Sequence, residues 1–137
     1  MKVFFKEFTI STSERFQVIN ITSYVEEAVK ESGIRNGICL VFVPHATAAI
    51  IANEYEPNIV SDYIELVRQV FKPDYAWRHN RIDNNAHAHL ASAVIGPSRI
   101  FPVREGRIVR GTWQEILLVE LDGPRPRRRV MVEVMGE

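Results

Sequence analysis

The sequence has 137 residues, of which 46% are apolar and 25% are charged, a balance typical of one folded globular domain. Seventeen basic and seventeen acidic residues give a formal net charge of zero, which removes the general electrostatic case for a nucleic-acid partner. No apolar run approaches the roughly 20 residues that span a bilayer, and no signal segment is recognisable. We therefore expect a single cytoplasmic domain over residues 1–137, without a membrane partner.

The first third of the chain predicts two strands and a helix. Alternating apolar residues predict a strand over Val3–Ile10, and Phe16–Ile21 is predicted to be its hairpin partner. A helix is expected to begin near Ser23, which precedes Glu26 by three residues as in a capping box. Gly33 has the position of a glycine that ends a helix.

The middle of the chain begins with an apolar run, Gly37–Val43, that is typical of a strand buried on both faces. The single cysteine lies in this run, so an intramolecular disulfide is excluded and a buried, unreactive thiol is expected. Ala48–Ala52 fits a helix or a strand, and we favour a strand. Pro57 suits the first turn of a helix whose apolar residues recur at helical spacing as far as Phe71.

The last part of the chain predicts a loop, a short helix and several strands. Residues 74–85 form a predicted loop of a length that is often functional, and Ala86–Ile95 is helical by propensity. The predicted strands that follow are Arg99–Val103, Arg107–Arg110, Trp113–Leu121 and Arg128–Met135.

Histidine is concentrated in two segments. His79, His87 and His89 lie close together in the sequence, and His45 follows the apolar run. Imidazole is a common ligand for zinc, although isolated histidines are usually surface or hydrogen-bonded core groups. If Ala86–Ile95 is a helix, His87 and His89 point about 200° apart and cannot both face one ion. In a strand they would share a face, so the spacing leaves the ligand set open.

Two glutamates are candidates for catalysis. Glu54 ends an apolar segment, where it could act as a general acid or base or could simply be solvated. Glu120 lies in an apolar strand and needs a partner. That partner could be an arginine from residues 125–129 or a substrate cation.

The segment that contains Trp113 could contact a ligand. The indole of Trp113 could stack on a planar ring while Gln114 binds its polar edge, or the tryptophan could pack in the core. The basic run Gly123–Arg129 could supply an arginine for a phosphate, or could be a solvated turn.

These residues, in this order, resemble the secondary thiamine-phosphate synthase family, which is also described as YjbQ-like. The resemblance extends over nearly the whole chain. It is carried by His45–Ile50, Asn53–Glu54, His79, Asn84–Leu90, Gly96–Ser98, Pro102, Gly106, Gly111–Gln114, Glu120 and Asp122–Arg125.

The resemblance implies a single compact α+β domain, mostly antiparallel β-sheet or sandwich with two to three helices, that forms a homotrimer. It also implies a divalent-metal site, and three histidine ligands favour zinc. The implied metal ligands are His45, His79 and His89, with His87 as a neighbour. The implied substrate-binding residues are Thr47, Asn53, Trp113, Gln114 and Arg125. The implied catalytic residues are Glu54 and Glu120.

The function implied by the resemblance is a metal-dependent enzyme with secondary thiamine-phosphate synthase activity, which acts on a small phosphorylated heterocycle. One alternative is a zinc-dependent hydrolase in which Glu54 is the base. Another is a non-catalytic trimer that binds a metal or a metabolite.

Overall fold

A computed structural model describes all 137 residues. The chain forms eight strands, three α-helices and one 3-10 helix over Arg78–Arg81. The strands are β1 (Lys2–Ile10), β2 (Gln17–Asn20), β3 (Gly37–Phe42), β4 (Ala48–Asn53), β5 (Ser98–Arg104), β6 (Arg107–Ile108), β7 (Glu115–Glu120) and β8 (Arg128–Gly136). The helices are α1 (Thr22–Ser32), α2 (Pro57–Val70) and α3 (Ala86–Ile95). None of these helices has the length and apolar character needed to cross a bilayer.

The strands form two sheets in which all neighbours are antiparallel. One sheet has the order β1-β8-β3-β5-β6 and the other has the order β2-β7-β4. The prediction of a single α+β domain with mostly antiparallel strands and three helices is confirmed.

Two apolar cores separate the layers of the fold. The larger core lies between the two sheets, and Ile50 of β4 and Leu118 of β7 contribute to it together with one side of α1. The smaller core lies on the other face of the three-stranded sheet, where Ala49 and Val119 pack against α2 and α3. Because side chains alternate along a strand, β4 and β7 contribute to both cores. The five-stranded sheet and the α2–α3 layer are therefore the two outer layers.

The predicted hairpin between the first two strands is wrong. Strand β2 pairs with β7, so β1 and β2 belong to different sheets. The connection is held by Thr12, whose N–H donates to the carbonyl oxygen of Arg125 at 2.8 Å and whose side chain is buried. Thr12 thus directs the chain from one sheet to the other instead of reversing it within one sheet.

The helix ends agree only partly with the predicted caps. Gly33 ends α1 in the left-handed conformation, with φ of 69°, as predicted. The capping box of Ser23 and Glu26 does not form. Instead the side-chain oxygen of Asn20 accepts hydrogen bonds from the N–H and the hydroxyl of Thr22. Asn20 provides the cap from the preceding strand, two residues before the helix begins.

Strand β3 is buried on one face only, which corrects the prediction of a strand buried on both. Cys39 is fully buried, and burial raises the pKa of its thiol to about 12. Ile38, on the opposite face, is 43% exposed, and its neighbours Val3, Phe5 and Ile100 are 60%, 55% and 62% exposed. We call this surface of Val3, Phe5, Ile38 and Ile100 the outer sheet face. Nothing in the chain covers it.

Candidate functional site

The centre of the site is a buried ion pair between Glu120 and Arg128. Their side chains are 0% and 4% exposed. The Arg128 Nε atom donates to Glu120 Oε1 at 2.8 Å, and its Nη2 atom donates to Oε2. Because a buried carboxylate needs a partner, this pair answers the question that the sequence left open. The partner of Glu120 is an arginine of the same chain.

Glu120 has no free acceptor position towards solvent. Besides Arg128, its oxygens accept hydrogen bonds from the Thr12 hydroxyl at 2.7 Å and from the backbone N–H groups of Leu121 and Asp122 at 3.0 and 3.1 Å. These hydrogen bonds use the carboxylate within the chain, where it holds Arg128 in place. The catalytic role of Glu120 stays a prediction.

Arg128 in turn positions the segment between β3 and β4. Its Nη2 atom donates to the hydroxyl and the carbonyl oxygen of Thr47 at 2.9 and 3.1 Å. The next residue, Arg129, donates its backbone N–H to Nε2 of His45 at 2.9 Å. The Nε2 atom of His45 is therefore an acceptor, and the proton of the neutral ring lies on Nδ1.

These residues surround a small concave site that we call the basic pocket. It has a volume of about 210 Å³ and is lined by His45, Arg125, Pro126, Arg127 and Arg128. No carboxylate lines it. Its lining can donate hydrogen bonds to an anion and offers no negative charge to repel one.

The charges around the basic pocket are mostly paired, with one exception. Arg125 binds Asp122 at 2.8 Å, Arg129 binds Glu7 at 2.8 Å, and Arg128 binds Glu120. Arg127 is exposed and is the arginine of this run without a carboxylate partner. The pocket therefore carries uncompensated positive charge.

This positive charge acts on His45. Burial lowers the pKa of its ring, and the guanidinium groups of Arg128, Arg129 and Arg125 lower it further, against an opposing effect of Glu120. His45 is thus neutral near pH 7. An anion bound in the pocket would offset the arginine charges and raise this pKa.

A chain of hydrogen bonds connects the basic pocket to a second histidine. The Arg125 guanidinium donates to Asp122, and the buried side chain of Asn85 donates to the same carboxylate at 2.8 Å. The Oδ1 atom of Asn85 then accepts from Nε2 of His79 at 3.2 Å. The Nε2 atom of His79 is therefore the donor in this contact, and in the tautomer with Nε2–H the Nδ1 atom is an acceptor.

His87 and His89 occupy different environments, as predicted for the case in which Ala86–Ile95 is a helix. His89 packs against His79 with ring centroids 4.8 Å apart. His87, two residues earlier in α3, is completely buried and donates from Nε2 to the carbonyl oxygen of Leu121 at 3.1 Å. Its Nδ1 atom has no hydrogen-bond partner. Burial lowers the pKa of His87, and the charge of Arg15 lowers it further.

The predicted metal ligands do not form one cluster within the chain. His79 and His89 are adjacent, and His45 shares with His89 the lining of a separate cavity of about 460 Å³. No three His, Cys, Asp or Glu side chains are arranged to hold a metal ion. The residues of one chain therefore do not fit the three-histidine zinc site, and the divalent metal stays a prediction.

The other predicted site residues are divided between the two ends of the three-stranded sheet. Ala48 of β4 pairs with Glu120, whereas Asn53 pairs with Glu115 at the other end of the same strands. Five residue intervals of β4 separate these ends, about 17 Å. One end holds His45, Thr47, Glu120 and Arg125. The other end holds Asn53, Glu54, Trp113 and Gln114.

At the second end the predicted residues have local partners. The Oε1 atom of Gln114 accepts from the N–H of Gly111 at 2.7 Å, and Trp113 is 72% exposed. The Tyr63 hydroxyl donates to the carbonyl oxygen of Glu54 at 2.9 Å, and burial and the Glu54 carboxylate raise the pKa of Tyr63. Within one chain these residues cannot act together with His45. Their roles in catalysis and substrate binding stay predictions.

Several residues in and around the basic pocket were not singled out by the sequence. Arg127 and Arg128 stood only within a basic run, and Asp122 stood only within the family pattern. The sequence did indicate that one arginine of this run could pair with Glu120, because a glutamate in an apolar strand requires a nearby cation. Which arginine meets it depends on where the chain enters β8, whose first residue is Arg128.

The fold and the pocket define a class of protein: a small α+β domain with two antiparallel sheets and a basic, histidine-containing pocket where β3, β7 and β8 meet. The chain belongs to the UPF0047 protein YjbQ-like family, whose model matches residues 6–137. A UPF0047 protein of Methanothermobacter thermautotrophicus is 44% identical over 137 residues, which cover all of this chain and 95% of the relative. The UPF0047 protein YugU of Bacillus subtilis is 36% identical over 135 residues, 96% of this chain and 98% of YugU.

Solved structures have the same fold. A YbjQ-like protein of unknown function from Sulfolobus solfataricus superposes with a TM-score of 0.98 and 52% identity over 99% of each chain. A hypothetical protein from Aeropyrum pernix superposes with a TM-score of 0.94 and 47% identity over the full length of both chains.

These findings correct the predicted function. The YjbQ-like part of the resemblance is confirmed, but the prediction of a metal-dependent thiamine-phosphate synthase is wrong. The family and these relatives are described without any such activity, and the structural relative is described as of unknown function. The residues of the chain also assemble no three-ligand metal site. The zinc-dependent hydrolase loses its support for the same reason.

Proposed function

We propose that this protein binds a small phosphorylated molecule through the basic pocket. One observation carries the proposal: the polar side chains of the lining are a histidine and three arginines, and no carboxylate lines the pocket. Arg127 adds a positive charge that no residue of the chain neutralises. A phosphate group, with its negative charge and several acceptor oxygens, is the complementary ligand.

The pocket is held in a binding-competent shape before a ligand arrives. Glu120 fixes Arg128, and Asp122 fixes Arg125 through both its carboxylate and its carbonyl oxygen. Preorganised donors lose less conformational entropy on binding than mobile ones. The volume of about 210 Å³ is below the roughly 300–1,000 Å³ of a typical small-molecule site, which suits a phosphate group rather than a whole ligand. The rest of the molecule would extend into the cavity that His45 shares with His89.

The test combines calorimetry with the titration of His45. Inorganic phosphate should bind and should raise the pKa of His45, followed by NMR of the imidazole protons at matched ionic strength in chloride. Arg127→Ala should weaken phosphate binding about tenfold, since it removes a charge-assisted hydrogen bond.

Arg104→Ala is the matched control. Arg104 is also exposed and has no carboxylate partner, but it lies on β5 outside the basic pocket. Its substitution should leave phosphate affinity unchanged. Equal losses in both variants, or a His45 pKa that phosphate does not move, would refute binding in the pocket.

We also propose that the protein assembles as a homotrimer through the outer sheet face. This apolar surface is uncovered in the single chain, and such surfaces commonly mark interfaces. Glu133 lies within it, between Phe5 and Leu40 in register, and has no ion pair in its own chain. A closed trimer joins two different surfaces of each subunit, so a cation of the next copy could pair with Glu133.

Light scattering after size-exclusion chromatography tests the assembly. The wild-type protein should have three times the subunit mass of 15.7 kDa, and Ile100→Glu should yield monomers because it places a charge in the outer sheet face. Val109→Glu, at a position that is 48% exposed beyond β6, should stay trimeric. A monomeric wild type would refute the trimer. It would not affect the proposal of phosphate binding, because the basic pocket is formed by a single chain.

A further inference from the structure

A third cavity, which has only His89 in common with the cavity at His45, lies between the 3-10 helix and the start of α3. Its volume is about 690 Å³, and its lining includes Tyr75, Trp77, Arg78, His79, His89 and Leu90. We propose that this aromatic cavity is a binding site for a planar aromatic compound that carries an acidic group. It shares no lining residue with the basic pocket.

The aromatic side chains provide a surface for a planar ring. The rings of Tyr75 and Trp77 lie with centroids 4.5 Å apart at an angle of 49°. The indole N–H of Trp77 donates to the carbonyl oxygen of Lys72 at 2.7 Å, so the only polar group of the indole is already satisfied. What Trp77 offers to the cavity is its aromatic surface. Tyr75 is 56% exposed, and a stacked ligand would remove this apolar area from water.

The loop that carries these aromatic residues is rigidly connected to α3. Asn80 accepts the N–H of Ala86 at 3.1 Å and donates to the carbonyl oxygen of Tyr75 at 3.5 Å. His79 is held by Asn85 through its Nε2 atom. Because the side chains of Asn80 and His79 connect the loop to the start of α3, the cavity exists without a ligand, which lowers the entropy lost on binding.

The polar groups of the cavity select an acidic ligand. Arg78 is exposed, has no carboxylate partner in the chain, and lines the cavity. No aspartate or glutamate lines it. A carboxylate on the ligand could therefore bind the free guanidinium. The Nδ1 acceptor of His79 offers one further hydrogen bond to a donor on the ligand.

The size of the cavity agrees with a compound of one or two fused rings. Binding sites for small molecules typically measure about 300–1,000 Å³ and combine apolar walls with a few polar groups. The aromatic cavity has this volume and this combination. Leu90, which is 39% exposed at its rim, is a further apolar contact for the ring.

The experiment uses 2-naphthoate as the probe and 2-naphthamide as its neutral analogue. Calorimetry should show that naphthoate binds about tenfold more tightly than the amide, since only the acid pairs with Arg78. In a Trp113→Phe background, Trp77 is the single tryptophan, so its indole N–H resonance reports whether the ring enters the cavity. Arg78→Gln should remove the preference for the acid.

Tyr75→Ala is the variant that tests the aromatic surface. It should weaken naphthoate about tenfold, because the side chain makes no hydrogen bond and its loss leaves the loop bonds intact. Tyr55→Ala is the matched control, because Tyr55 is similarly exposed, at 47%, outside the cavity. Far-ultraviolet circular dichroism should show that both variants are folded.

Three results would overturn the proposal. One is no binding of either probe at millimolar concentration. Another is binding that Tyr75→Ala and Arg78→Gln leave unchanged. The third is naphthoate binding that Arg127→Ala abolishes, which would place the probe in the basic pocket. Phosphate binding that Tyr75→Ala leaves unchanged shows that the basic pocket binds its ligand independently of the aromatic cavity.

Discussion

The buried ion pair of Glu120 and Arg128 allows a quantitative test of how the basic pocket is held. Glu120→Gln keeps the shape of the side chain but removes its charge, which leaves Arg128 buried without a counter-charge. Breaking one partner of a buried pair costs about 3–5 kcal/mol. All hydrogen-bond partners of the Glu120 carboxylate are donors, including the backbone N–H groups of Leu121 and Asp122. The side-chain N–H₂ group of glutamine would face some of these donors without forming a hydrogen bond. Against a total stability of about 5–15 kcal/mol this is a large loss.

A graded series keeps the test informative if Glu120→Gln fails to fold. Thr12→Val removes one hydrogen bond to the carboxylate and should cost about 1.5–3 kcal/mol. The double variant Glu120→Leu with Arg128→Met replaces the pair by apolar groups of similar size. It should lose much less stability than the sum of the two single variants, because neither charge is left uncompensated.

The measurement is urea unfolding followed by circular dichroism at one fixed protein concentration, since self-association changes apparent stability. Glu115→Gln is the control on the same strand. Its partner Arg110 is 3.7 Å away and both side chains are partly exposed, so the loss should stay below about 1 kcal/mol. If Glu120→Gln loses no more than Glu115→Gln, or if the double variant equals the sum of the single variants, the structural role of the pair is refuted.

Three further predictions concern other parts of the fold. Glu56 caps α2 by accepting the N–H groups of Asn58 and Ile59 at 2.9 Å. Glu56→Ala should therefore lower the melting temperature by about 3 °C, and an unchanged value would contradict the cap. The neutral, buried His87 has a pKa below its ordinary value of 6.5. The unfolded chain thus binds the proton first, and stability should fall as the pH drops below about 6.5, by at most about 1.4 kcal/mol per pH unit for this group. His87→Gln should have a shallower pH dependence of urea unfolding, and equal slopes would exclude His87 as the cause. The thiol of Cys39, fully buried and with its pKa raised to about 12, should not react with an aromatic disulfide reagent until the protein unfolds. Rapid reaction of the native protein would show that β3 opens.

Local sequence patterns determined most of the elements. The apolar spacing after Pro57 predicted α2, and the alanine-rich segment predicted α3 with the bounds Ala86–Ile95 that the structure shows. The run that begins at Gly37 predicted β3. These signals are readable because helix and strand periodicity depends on residues close together in the chain. The ordered set of motifs was also enough to indicate the YjbQ-like family. The same motifs did not predict the activity correctly.

The tertiary structure alone decided how these elements meet. Strand pairing placed β2 beside β7 instead of β1, and the register of β4 placed Asn53 and His45 at opposite ends of the sheet. It also selected Arg128 among the neighbouring arginines as the partner of Glu120. Such contacts join residues far apart in the sequence, and their energies depend on which groups are buried together. Composition and spacing therefore identified the chemically capable side chains, and only packing determined which of them share a pocket.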